Sequence, residues 1–478
     1  WPETVAEAEE LWRKRMKNDV MILLLNREID GATNEFDAAD PQPRKSSRPG
    51  AHAIKGMEWG NCWDWPDATK KDFSRYLNAK VYPQLSELLT NYGELFTIWF
   101  DVPCQMSVEM SRDLKRHVRS LQPHVLVNSR IGNGLGDFGS LGDNQMIAGV
   151  SEIPVESPVT LNDTWGFKYD DQNWKNGYEM ACALAQNIAH NANLLVNVGL
   201  RPDGRFPDAS SDVLAELAAW RKRTGFVIRG AKASPFPQEM PWGWCTVVDG
   251  NTLQFVVRAN WTNSLEVCGV RNRVRVCTAA YEQRGGVIRI DLPPPDDCMP
   301  RVVRLALEGE LEVDREIMPQ NGILNLTPSN GGRIFACGDG RIGKNAKCRV
   351  SERGALTDWH RPGDGVSWTV NFPEAGRYRV SLVTESWAHG RPWGGMRSVE
   401  VSVGDERLVA AVRKDRLLPS TVYEKVESRL GAVEIRTPGE TRVSVATLEA
   451  DAETRYVDLI AVQFVSEDQA RQKPKKRR

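Results

Sequence analysis

The chain has 478 residues, 41% of them hydrophobic and 26% charged, with a formal net charge of −1. That length and apolar fraction suit two or three globular domains with sizeable cores and exclude a chain disordered throughout. A near-zero charge excludes a global field for nucleic acid, and the basic run "RQKPKKRR" at 471–478 reads as a solvated tail. The early apolar run "VMILLL" at 20–25 is far too short to span a bilayer, and no charged-then-apolar leader precedes it. The sequence begins on Trp1 rather than Met, which reads as a processed or truncated product. Nine cysteines, an odd number with no CxxC pair, give neither a disulfide framework nor a zinc site, so no metal or cofactor is expected. Cys268 and Cys277 are the one pair whose spacing suits neighbouring strands.

Residues 1–17, acidic early and basic late, read as a helix suited to its own dipole, and 30–56 read as loop. The stretch "DATKKDFSRYLNAKVYPQLSELLTNYG" places Phe73, Leu77, Val81, Leu85 and Leu88 at helical spacing and closes on Gly93. The buried strand "LFTIWFD" follows and ends on a carboxylate, Asp101. The alternation continues with helix "SVEMSRDLKRHVRSLQP", strand "HVLVNSR", helix "YEMACALAQNIAHNA", strand "NLLVNVG" and helix "SSDVLAELAAWRKRTG". Apolar strands alternating with helices predict a parallel sheet. Polar residues stand at the strand ends: Asp101, Asn128, Arg130 and Asn197. In a (β/α) barrel such groups converge on the active face.

After about residue 226 short β runs with Gly and Pro turns predict an antiparallel β domain, and a second β module reads as a β-sandwich. The expected fold is therefore α/β plus all-β. Residues 1–56 form an N-terminal segment without a match, 57–228 the catalytic barrel portion, 229–314 an antiparallel β domain, 315–468 a β-sandwich resembling a carbohydrate-binding module, and 469–478 the tail. In the last module Trp359, Trp368, Trp387 and Trp393 are either core residues, the commoner fate, or a sugar-stacking platform. The Gly-rich "GNGLGDFGSLGDN" lacks a Walker lysine and does not read as a phosphate loop.

Taken in order, "YPQLSELLTNYGELFTIWFD", "NSRIGNGLGDFGSLGDNQ", "ESPVTLNDTWGFKYDD" and "NLLVNVGLRPDG" resemble glycoside hydrolase family 29, the retaining α-L-fucosidases, over about residues 57–310. The resemblance implies that Asp101 is the nucleophile, that Arg130 contacts the sugar, and that Trp99 and Trp165 line its pocket. It implies Glu156 as acid/base, with Glu152 as the fallback. The implied partner is a fucosylated oligosaccharide or glycoconjugate, with no nucleic acid and no membrane span, and the implied location is secreted or periplasmic in a bacterium.

The chemistry asks for such a pair by itself: one carboxylate attacks and one carboxylic acid protonates the leaving oxygen, roughly 5–5.5 Å apart in a retaining enzyme. The bland readings are an N-cap for Asp101, an exposed loop charge for Glu156, a surface pair with Asp137 or Asp143 for Arg130, and core packing for Trp165. The sequence departs from the family's pattern in lacking a His-Trp-Gly segment and a Lys-His-His-Asp-Gly motif; before residue 117 its one histidine is His52. Residues 1–228 also fall short of the roughly 250 of a full barrel. The departures keep a second function open, a catalytically impaired or truncated relative that binds carbohydrate. They predict weak activity for this chain alone.

Overall fold

The computed structural model describes residues 23–24, 73–101, 106–261, 264–294, 298–335, 348–351, 353–387, 393, 398–418, 423–449 and 457–467. The helix expected over 1–17, the loop over 30–56 and the basic tail lie outside them. The chain divides into two compact units, Trp1–Ser140 and Leu141–Arg478.

The first unit carries a parallel three-stranded sheet of Leu23–Leu24 (β1), Thr97–Phe100 (β2) and Leu126–Val127 (β3), with β2 in the middle. The run at 20–25 thus contributes β1, with Leu23 and Leu24 opposite Trp99 and Phe100. Helices Phe73–Tyr76 (α1), Tyr82–Asn91 (α2) and Val108–Leu121 (α3) belong to the same unit, and Gly139–Ser140 (β4) ends it. A π-helical turn, Leu77–Val81, joins α1 to α2. Its cause is legible in the apolar stripe: Leu77, Val81, Leu85 and Leu89 are all buried at steps of four. Each such step drifts about 40° around an ideal α-helix, and a wider turn takes up part of that drift. The stripe ends on Leu89, with Leu88 only half-buried.

Along β2 the pleat sends alternate residues to opposite faces. Ile98 and Phe100 pack with Leu85, Leu114 and Val118 of the helices, so Thr97 and Trp99 take the other face. Buried Gln122 fixes where β2 starts: its amide donates to the carbonyls of Leu89 and Gly93, and its oxygen accepts the Leu95 N–H.

The second unit holds the parallel pair Val155–Thr160 (β5) and Ala192–Asn197 (β6), in register from Val155↔Ala192 to Thr160↔Asn197. Helix Gly177–Ala189 (α4) starts on a reciprocal capping box between Asn176 and Glu179, and Asp208–Thr224 (α5) ends on the left-handed Gly225. Val159 and Leu161 pack with Met180 and Leu184 of α4 and Trp220 of α5. Alternation therefore turns Glu156, Pro158 and Thr160 to the face away from these helices. Among the described residues no sheet closes on itself.

Antiparallel strands follow, as expected. A four-stranded sheet and a three-stranded sheet between Gly243 and Leu307 share one core built on Trp242, Phe255 and Ile288. Cys268 and Cys277 are free; their strands pair with Val287–Ile290 and Arg301–Leu307 respectively and not with each other. From Ile323 to Ser466 two antiparallel sheets enclose a second core. Trp359, Trp368 and Trp393 are buried in it, with indole N–H groups donating to Val457 O, Thr327 O and Thr384 Oγ1. That buries three of the four members of the conceivable sugar-stacking platform; the side chain of Trp387 lies outside the described residues.

Within the second unit the sandwich is locked to the loop that leads into β5. Ala148 N–H donates to Arg353 O at 2.5 Å, and Val150 N–H donates to Asn330 Oδ1 at 3.1 Å. Gly149 between them abuts Ser329 so closely that a Cβ there would fall 1.8 Å from its hydroxyl. Asn330 Nδ2 donates to Glu239, whose two carboxylate oxygens both lie 2.9 Å from His190 Nε2. Arg353 in turn pairs with Glu385 and Asp458. Asn330→Ala leaves the Val150 N–H and a Glu239 oxygen without this partner, so it is expected to destabilise the second unit by about 2 kcal/mol in denaturant titration. A change below about 0.5 kcal/mol, the usual scale of surface substitutions, would show that the junction carries no weight.

Candidate active site

Asp101 follows directly on β2. Its Oδ1 accepts from Arg130 Nη1 at 2.8 Å, and Oδ2 carries no hydrogen bond among the described residues. The Arg130 guanidinium carbon lies 4.8 Å from the centre of the Trp99 ring. A half-buried ion pair stacked on an indole is stronger than an exposed one because water screens it less. Trp99 itself is only 5% exposed, with the Arg130 guanidinium over its ring.

Asn128 places both partners. β3 ends at Val127, and the Asn128 side chain continues the ladder by one step: its oxygen accepts the Phe100 N–H at 2.8 Å and its amide donates to Phe100 O at 2.9 Å. Asn is a good helix N-cap, and Asn128 precedes the 3-10 turn Ser129–Ile131 that carries Arg130, yet its side chain makes no capping bond because Phe100 engages it. One buried amide thus fixes the backbone next to Asp101 and the turn that presents Arg130.

Two bland readings give way here. The helix N-cap is Ser107, whose hydroxyl accepts the Met110 N–H, and not Asp101. Arg130 does not pair with Asp137, which accepts from Lys115 at 2.6 Å, from Arg119 at 2.7 Å and from the Val127 N–H at 2.8 Å. Burial disfavours the Asp137 charge, but the Lys115 hydrogen bond, the Val127 N–H and the two nearby cations outweigh it and hold the carboxyl below its ordinary range.

Glu156 and Trp165 belong to the second unit. Glu156 is a half-buried strand residue on β5, not a loop charge, while Glu152 is exposed in the bend before it. Glu156 is also the second residue of β5, about 13 Å along the strand from Thr160 at the carboxyl end. The segment that begins at Leu141 runs beside β5: Leu141 N–H donates to Glu156 O, Asn144 N–H to Pro158 O, and Thr160 N–H to Asn144 Oδ1. This sets the exposed Asp143 beside the carboxyl half of the strand, a carboxylate that the sequence suggested only as a salt-bridge partner. Trp165 lies in the loop after β5, 38% exposed, and its carbonyl accepts from Asn197 Nδ2 at 2.6 Å. The strand-end Asn197 therefore holds this loop.

Residues 9–226 match the family described as Alpha-L-fucosidase. A putative alpha-L-fucosidase of Caenorhabditis elegans is 28% identical over 178 residues, covering 35% of this chain and 37% of the relative. The chain thus spans little more than a third of that protein's length. The alpha-L-fucosidase of Vibrio sp. strain EJY3 superposes with a TM-score of 0.69 at 22% identity, over 85% of this chain and 72% of its own. A Lactobacillus casei alpha-L-fucosidase is 40% identical over 35% of this chain and 52% of its own, with a TM-score of 0.32. The Vibrio likeness establishes the fold. Residues 9–226, a little under half of the chain, are similar to the alpha-L-fucosidase family. The match starts at residue 9, inside the segment that the sequence motifs left unmatched, and takes in β1.

Asn128→Ala is expected to lower the stability of the first unit by about 2–3 kcal/mol, because it strips partners from two buried backbone groups. Its unfolding curve checks this. Acid titration checks Asp137: with a lowered folded pKa, its contribution is fully present above the ordinary value of about 3.9 and is lost as the pH falls through the folded one. Asp137→Asn should flatten that part of the acid limb. An unchanged limb would sink the assignment.

Proposed function

We propose that the chain is a retaining exo-glycosidase that releases alpha-L-fucose from fucosylated glycans or glycosides. The observation that carries the reading is the group of Asp101, Arg130 and Trp99 at the end of a parallel strand; the family of residues 9–226 supplies the sugar. Helices backing one face of the parallel strands in each unit support reading those strands as portions of a (β/α) barrel.

In the first displacement an oxygen of Asp101 attacks the anomeric carbon, the bond to the leaving oxygen breaks, and a carboxylic acid protonates that oxygen. In the second, the same acid, now a carboxylate, takes a proton from water; the water oxygen bonds to the anomeric carbon and the ester to Asp101 breaks. Arg130 keeps Oδ1 in place, so attack through Oδ2 needs no reorganisation of the ion pair. Trp99 backs Arg130, and Trp165 lines the sugar site. Glu156 is the acid/base in this reading, with Glu152 behind it. The direction of β5 favours weighing Asp143 as well, since it stands nearer the carboxyl end. The substrate class carries with it a secreted or periplasmic location, which cell fractionation tests.

Asp101→Ala should cut turnover of a nitrophenyl fucoside by roughly 10³-fold or more, with partial rescue by azide and a fucosyl azide of inverted configuration as product. Full activity in this variant would falsify the nucleophile. Glu156→Gln and Asp143→Asn separate the candidate acids: losing the true one slows a fucosylated disaccharide by about 10²–10⁴-fold and slows the activated nitrophenyl substrate far less. The second reading is a catalytically impaired or truncated relative that acts as a carbohydrate-binding protein. Calorimetric binding of fucose without hydrolysis of any fucoside would select it.

A further inference from the structure

The loop that follows β5, "LNDTWGFKYDDQN" at 161–173, presents aromatic rings to solvent from a backbone that is held at many points. Tyr169 is 77% exposed. Phe167 meets it edge to face, with ring centres 4.7 Å apart and planes at 80°. Trp165, 38% exposed, is the second exposed ring of the loop, and Phe167 is half-buried.

The backbone that carries these rings is held by hydrogen bonds on both sides of Tyr169. Asp171, buried beneath it, accepts from the Thr164 N–H at 2.9 Å, the Thr164 hydroxyl at 2.7 Å and the Asn173 N–H at 3.3 Å. Burial opposes the Asp171 charge, but the Thr164 hydroxyl and the surrounding N–H groups prevail and hold its carboxyl below the usual range. Asn173 binds both oxygens of Asp163, Gln172 donates to the Tyr169 carbonyl, and Asn197 holds the Trp165 carbonyl. Gly199 lets the chain after β6 press on the loop; a Cβ there would stand 2.7 Å from the Gly166 carbonyl carbon and the Phe167 nitrogen.

We propose that Tyr169, braced by Phe167, is a stacking platform for a pyranose ring of the glycan other than its fucose. This rests on the reading of the chain as a fucosidase. A rigid aromatic face loses little entropy on binding, and pyranose rings offer it an apolar C–H face. The polar groups interleaved with the rings, Lys168 and Asp170 in contact at 3.2 Å and exposed Asn173, match a ring edged with hydroxyls better than a dry protein surface. The loop leaves the carboxyl end of a parallel strand, the end at which substrates meet such sheets.

The test uses the full chain and two substrates: a fucosylated disaccharide, and fucosyl fluoride, which has no sugar in its leaving group. Tyr169→Ala should raise KM for the disaccharide about tenfold and leave fucosyl fluoride within about twofold, while Tyr169→Trp restores the disaccharide. Equal effects on both substrates, or on neither, would overturn the platform. A turnover-free measurement separates this outcome from failure of the fucosidase reading. Saturation-transfer NMR with fucose-free lactose should show contact to the ring protons in the parent chain, lost in Tyr169→Ala. A parent chain that gives no transfer to lactose, or a variant that gives as much, sinks the proposal even where fucosides are hydrolysed. Transfer lost in the variant upholds it even where they are not.

Discussion

An apolar strand that ends on a carboxylate needs a cation within reach, and the Asp101–Arg130 pair meets that constraint on which the first unit's site depends. Neither group is fully in water, so removing either would leave a poorly solvated charge. The pair is held from both sides: Asn128 extends the β2–β3 ladder to fix Phe100, and Trp99 lies against the guanidinium. Ion pair, amide clamp and indole stack rest on residues within two short strand ends, so a small stretch of sequence specifies a rigid group of opposite charges.

The second unit solves a different problem, carrying a half-buried glutamate on a strand and a loop of exposed rings after it. The helices cover one face of β5 with Met180, Leu184 and Trp220, which leaves the other face to Glu156, Pro158 and Thr160. The approach to β5 is secured from far away in sequence, by Asn330 and Arg353 of the β-sandwich and by Glu239 and His190. The sandwich is therefore structural support for this loop. Its buried tryptophans belong to that support: their indole N–H groups bond within the core, where they satisfy polar atoms that burial would otherwise leave unpaired.

Much of this was legible beforehand. The helical stripe through Leu77, Val81 and Leu85, the apolar run into Asp101 and the helix–strand alternation to Thr224 all follow from local periodicity, which acts within a few residues, whereas the cap at Ser107 emerged from the structure. The strand at Leu23–Leu24 was not legible, because a short apolar run has the same composition in a strand as in a buried helix. The π turn was visible only as a stripe stepping by four, whose drift local patterning does not resolve.

The sequence by itself determined the α/β-then-β order of elements, the residue types that end the strands, and the family resemblance carried by Asp101, Arg130 and Trp165, because each depends on neighbours in the chain or on a motif's spacing. The tertiary structure decided the partners. It gave Arg130 to Asp101 and Asp137 to Lys115 and Arg119, set Asn128 to clamping Phe100 and Asn197 to holding the Trp165 carbonyl, and buried Trp359, Trp368 and Trp393. Charged and amide side chains can satisfy themselves with many partners of similar energy. Which partner is chosen depends on what the folded backbone brings within about 3 Å, and no local pattern encodes that distance.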